Sequence, residues 1–361
     1  MKDFAYLPII KTGDAELRGI ENLSKNIKDS MMPLFELTKS RKTPTMDEGD
    51  IYRRLQKIEE IYGKRPFILD LTGEPKLSNE QIRYLHDNNN GYKHWVAFLS
   101  SLKNRFPSVI PVVQISDEGI NTAKEFYDRI KAQVKMLCDH FDLIAYRFSL
   151  WYEDFEKDLE SICNVKSSNL VCIIDGGYIP QEKAGVYSTS AINVIKKMKV
   201  FPVKMILAAT SVPQNPIEHG EDDRGEYRLE EHFFYEEVKV GFKTKIIYGD
   251  YATIHPTRSS QAGGNGWVPR IDIPTKETIF YRRSRKDESE ISYTEAYTRV
   301  AELIVENKRY KEVKRLIGDC WGTEQIEMAA QGLPPKLSPS FWISVRMNIH
   351  MTIRMALLSN T

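Results

Sequence analysis

Cysteine is scarce. The four that occur in 361 residues (Cys138, Cys163, Cys172 and Cys320) lie far apart, with no Cys-x-x-Cys pair. That spacing excludes a disulfide framework and the usual zinc signatures, and it fits reduced, mostly buried thiols in a cytoplasm. Long apolar runs are missing too: none approaches the roughly 20 residues a membrane-spanning helix needs. The opening "MKDFAYLPIIKTGD" has a short apolar stretch before Lys11 and no cleavage-like small residues, so a signal peptide is not expected. No excess of one charge exists either. Fifty-one basic residues face fifty acidic ones, a formal net charge of +1, so no overall field argues for nucleic acid or an anionic membrane. The GxSxG, HExxH, Walker A and protein-kinase signatures are all absent.

Eight short, continuously apolar runs are present: 5–11, 31–38, 66–72, 109–116, 142–149, 170–177, 203–211 and 245–251. Continuous rather than alternating hydrophobicity is how strands buried on both faces of a parallel sheet read. Helical periodicity fills the gaps. Ile51, Leu55, Ile58 and Ile61 form one stripe ahead of Gly63, and Phe126, Ile130, Val134 and Leu137 form another. Segments 152–164 and 189–199 supply two shorter amphipathic stretches. Eight strand–helix units over about 250 residues predict an α/β fold, a (β/α)8 TIM-like barrel spanning 1–258. A doubly wound open sheet is the alternative, but "KTGDAE" does not match its Gly-rich first turn. Residues 259–361 are expected to add a hairpin insertion ("RIDIPTKETI"), a closing barrel helix over 291–317 and a C-terminal helical extension packed on the barrel.

Most of these runs carry one hydrophilic residue near the C-terminal end, as in "PLFELT", "PFILDLT", "PVVQIS" and "IAYRFS". A buried carboxylate is costly unless paired or hydrogen-bonded. In a barrel, Lys11, Glu36, Asp70, Gln114, Arg147, Asp175 and Asp250 would form a ring at one mouth, each charge offset by another. Barrel enzymes build their sites at that end. Asp70 and Asp175 are candidate general bases, and His255 and Tyr251, just after the last strand, are candidate acids. Lys11, Glu36, Gln114, Arg147 and Asp250 are candidate ligand-binding residues. The carboxylates are hard ligands suited to Mg²⁺ or Mn²⁺, but Lys11 and Arg147 oppose a cation and favour an anion such as phosphate, so no metal ligand is assigned. No cofactor is legible. The plain alternative is an ion-pair layer that merely plugs the barrel.

Weaker features remain. "GGNG" (263–266) reads as a flexible loop. The basic run 280–286 keeps open a nucleic-acid reading through an anion-binding lip, while that of 306–316 reads as the solvated face of a helix. The last helix carries Met347, Met351 and Met355 beside Val345, Ile349 and Ile353, a pattern of core packing or of an adaptable partner surface.

The opening "YLPIIKTGDAELRGIENL" (Tyr6, Pro8, Lys11 and Glu16), "PLFELT", "YGDYATIHP" and "SPSFWISVRMNIHM" together resemble the Beta protein family of satellite phages and bacterial mobile elements. The resemblance spans most of the chain and brings no established catalytic motif. It implies membership of a three-gene Gop–Beta–CII antiphage cassette, in which the Gop product is toxic and Beta restrains it. An antitoxin-like role in the cytoplasm beside a toxin partner is the expectation that follows, with an anionic ligand sensed in the barrel mouth. A barrel enzyme acting on a phosphorylated or nucleotide-like metabolite is the alternative.

Overall fold

A computed structural model describes residues 4–242, 245–258, 267–284 and 291–359. The "GGNG" run and the end of the basic run at 285–286 lie outside the described residues. Eleven strands occur among them: β1 (Tyr6–Lys11), β2 (Leu34–Leu37), β3 (Phe67–Leu71), β4 (Val109–Pro111), β5 (Ile144–Ser149), β6 (Leu170–Tyr178), β7 (Val203–Thr210), β8 (Arg224–Arg228), β9 (Ile246–Asp250), β10 (Arg270–Pro274) and β11 (Thr278–Arg283). The helices are α1 (Asp14–Glu21), α2 (Lys25–Ser30), α3 (Ile51–Tyr62), α4 (Glu80–Leu85), α5 (Lys93–Leu102), α6 (Ala123–Cys138), α7 (Phe155–Cys163), α8 (Ala184–Met198), α9 (Glu230–Val240), α10 (Tyr293–Glu306), α11 (Lys308–Ile317), α12 (Trp321–Ala330) and α13 (Pro339–Leu358).

All eight apolar runs became strands of one parallel sheet, in the order β4-β3-β2-β1-β9-β7-β6-β5. A bridge between Val112 and Ala145 joins its two edges, so the sheet closes into the expected (β/α)8 barrel. Closure there is helped from outside. Gln133 of α6 accepts from the Gln114 amide at 2.8 Å and donates to its carbonyl at 2.9 Å, satisfying backbone that runs beyond β4.

Alternate residues sort into two hydrophobic layers. Leu7, Ile9, Leu34, Ile68, Ile173, Ile206 and Ile247 fill the interior. Tyr6, Phe35, Leu69, Tyr146, Ile174 and Tyr248 face the surrounding helices. Period-2 geometry therefore operates in strands whose sequence shows no alternation, because both faces are apolar.

The expected hairpin is β10–β11, and β8 adds to it as a third antiparallel strand. Sequence reading missed β8 because "RGEYR" has almost no apolar content. The single closing helix expected over 291–317 is two helices, since Asn307 is extended (φ −66°, ψ 131°) and its side chain caps α11. Both pack with α12 and the hairpin in a separate apolar cluster. The helix that lies against α1 and β1 is α13, which sends Met347, Met351 and Met355 into the barrel-side core and Val345, Ile349 and Ile353 into the C-terminal one. Each such side chain contributes about 1.5–3 kcal/mol by leaving water. Its methionines are core, not a free surface. No helix among the described residues is long and apolar enough to cross a membrane.

Candidate functional site

Above the apolar interior sits one polar layer at the C-terminal ends of the strands. Lys11 leaves β1 and donates to Glu36 of β2 at 2.7 Å. Arg147, from β5, crosses to three other strands. Its Nη1 donates to Glu36 (3.1 Å) and Asp70 (3.0 Å), and its Nε donates to Asp175 at 2.9 Å. Its Nη2 reaches Asp175 (2.8 Å) and donates to the Tyr251 hydroxyl (3.0 Å), which donates in turn to Asp175 at 2.6 Å. Gln114 completes the layer by donating to Asp70 at 3.0 Å. Six of the seven expected ring residues thus meet, and Tyr251 takes the seventh place.

Every arm of the Arg147 guanidinium is engaged, in the planar fork geometry that suits Arg to carboxylates. Burial opposes its charge, but Tyr251, Asp175, Glu36 and Asp70 hold it well above the ordinary Arg value. Burial would raise Glu36, yet Arg147 and Lys11 pull it below the usual carboxylate range. Tyr251 is driven well up, by burial first and then by Asp175, so it stays a neutral donor. Glu74, which sequence reading passed over, approaches Lys11 at 3.4 Å. Two cations therefore meet four carboxyl groups.

Asp250 is the exception, and its assignment to the ring is corrected here. Inward positions on β9 are Ile247, Gly249 and then Tyr251, so Asp250 points outward toward α13. There it accepts from the hydroxyls of Tyr6 (2.6 Å) and Tyr248 (3.1 Å), the Ala252 amide (2.8 Å) and His350 Nε2 (2.7 Å). Burial would raise its pKa, but the His350 and Tyr6 contacts and Arg354 lower it. His350 is itself lowered: burial outweighs the raising pull of Asp250, and Arg354 and Arg346 add to the lowering. Its Nδ1 has no partner, which suits a neutral ring protonated at Nε2. This dyad has the composition of an acid–base pair, but both side chains are fully buried and cannot meet a substrate.

His255 stands beside the layer rather than in it. Its Nδ1 is turned to Thr257 at 2.9 Å, its ring lies 4.9 Å from that of Tyr178, and burial lowers its pKa. In the basic run 280–286, Phe280, Tyr281 and Arg283 are buried. Among the described residues no group of three or more His, Cys, Asp or Glu side chains is arranged to hold a metal ion.

The polar layer is the floor of an open cavity of about 620 Å³. One wall is aromatic: Trp151 is 51% exposed and packs edge-on against Tyr187 at 5.0 Å, with Tyr178 nearby. Trp151 follows β5, Tyr178 ends β6 and Tyr187 lies on α8, and only the polar slots, not this wall, were legible beforehand. Chemically the floor offers paired carboxylates and no unshared cation.

The sequence model of the Beta protein family matches residues 6–355. Protein beta of Enterobacteria phage P4 is 29% identical over 361 residues, covering 97% of this chain and 92% of that one. Among solved structures, a trimodular GH5_4 subfamily endoglucanase aligns at a TM-score of 0.44 and 9% identity, over 68% of this chain and 55% of its own. The spore cortex-lytic enzyme SleL of Bacillus megaterium QM B1551 aligns at 0.36 and 11% identity, over 96% of this chain and 74% of its own. These are distant likenesses. The family match runs from the first barrel strand into the last turns of α13, and on it this chain belongs to the Beta protein family.

Proposed function

We propose that this chain is an antiphage-defence component with an antitoxin-like role, which binds a toxic protein encoded beside it and restrains it. Family membership supports the biological setting. The observation that carries a binding role is the internal consumption of charge in the mouth, where Arg147 has no free donor and Lys11 is held by Glu36. A catalytic site keeps at least one base or electrophile available to substrate. Here both cations of the layer are already paired beneath an open cavity, and sensing of a small ligand would take place above it.

Co-expression tests the reading. The full chain is expected to relieve the toxicity of the neighbouring gene product and to co-purify with it. A chain that leaves the toxicity unchanged and elutes alone would sink the proposal. The 620 Å³ cavity also favours a second reading, a barrel enzyme with Asp70 or Asp175 as base, in which Lys11 and Arg147 would exchange a carboxylate partner for the phosphate of a substrate to act as anion clamps. Under it, Lys11→Ala and Asp175→Asn abolish protection while the purified variants stay folded. Wild-type protection by both would remove the mouth from the function.

A further inference from the structure

A second cleft, of about 680 Å³, opens on the same end of the barrel beside the mouth. Its cationic wall comes from the loops after β2 and β3, from α3, and from the segment after β9. Lys39, Arg41, Arg54, Lys76 and Arg258 line it. The carboxylates among them are Asp14, held by Arg54 and by Arg41 (2.8 Å), and Glu16, held by Arg258 at 3.1 Å. Five cations thus meet two carboxylates. Lys39 is half-buried and Lys76 exposed, and among the described residues neither ammonium has a carboxylate partner. Farther along the lining, Arg270 and Arg346 share one carboxylate, Asp272.

Three other features point the same way. The N-terminus of α1 enters this cleft at Gly13 with no side chain capping it, so its free amides add positive potential. Glu16 is 3% exposed, yet its Oε2 has no hydrogen-bond partner, which leaves a buried acceptor awaiting a donor. The opposite wall is apolar, built from Val212, Pro213, Ile254 and Ile343. A concave site of this volume fits a small ligand rather than a flat macromolecular surface.

We infer that this lateral cleft binds a phosphorylated ligand of nucleotide size, its phosphates at Lys39, Arg41 and Lys76, its uncharged part along the apolar wall, and a hydroxyl or amino donor toward Glu16. The site is distinct from the mouth, and it does not depend on restraint of a toxic partner.

The test is calorimetric titration of the full chain with ADP, GDP, CDP, UDP and pyrophosphate at low and physiological salt. At least one nucleoside diphosphate is expected to bind more tightly than pyrophosphate, and more weakly as salt rises. Lys39→Ala with Lys76→Ala should weaken that binding by about tenfold or more, since each removes a charge-assisted contact. Lys197→Ala, on the outer face of α8 and away from both clefts, should leave it within about twofold, on the additivity of separate sites. Absence of binding by all five probes up to millimolar concentration overturns the inference. So does binding that survives the double lysine substitution, or pyrophosphate binding as tightly as every nucleoside diphosphate. Failure of toxin restraint, read separately by co-expression, leaves these outcomes unaffected.

Discussion

Two clefts share one end of the barrel and treat charge in opposite ways. In the mouth, two cations are surrounded by carboxyl groups, and each hydrogen-bond donor of Arg147 is already taken. In the lateral cleft, five cations meet two carboxylates and two lysines stay unpaired. The difference follows from depth. A charge on the floor of the barrel mouth has little water to turn to, so strands that bring cations there must also bring their partners. A lysine on a loop keeps its hydration and can remain unpaired until a ligand arrives. Interior charges arrive with their partners, whereas two of the loop cations, Lys39 and Lys76, stay without a carboxylate among the described residues.

Substitutions can break this contrast at either end. The largest effect is expected for Arg147→Met, which strands Glu36, Asp70 and Asp175 together without their shared cation. Breaking a buried ion pair costs about 3–5 kcal/mol, and a lowered urea midpoint would show it. An unchanged midpoint would mean that the layer contributes nothing to stability.

A middle effect belongs to the outer dyad. The His350 pKa is depressed by burial, so below about pH 6.5 the unfolded chain takes up the proton more readily than the folded one. Stability is therefore present above that pH and declines as pH falls toward the folded pKa. His350→Gln keeps a donor toward Asp250 without a titrating ring, and the difference between variant and wild type should move in its favour between pH 6.5 and 5. A difference that stays flat over this range would show that His350 does not stay neutral. The smallest effect is expected at the lateral cleft: Lys39→Ala with Lys76→Ala should change stability by no more than about 0.5 kcal/mol, as surface substitutions do. A large loss there would erase the distinction between the two clefts.

Much of this was legible beforehand, and the misses have physical causes. All eight barrel strands could be read, because strands buried on both faces are continuously apolar. The same property concealed the face of each residue. Asp250 looks like Asp70 and Asp175 in its run, yet one position of parity turned it outward and put Tyr251 in its place. The apolar pattern of α13 wraps two sides, so its dual packing was hidden in an ordinary-looking sequence. The lateral cleft left no trace, since its cations are scattered from position 39 to position 258.

By itself the chain's order of residues determined the barrel, its polar layer and the family likeness, since each rests on local pattern: an apolar run, one hydrophilic slot, a short shared motif. Only tertiary structure decided which carboxylate joins which cation, which helix bridges the barrel and the C-terminal core, and where unpaired positive charge gathers. Those depend on distances between residues tens or hundreds of positions apart, and closure of the barrel is what sets them.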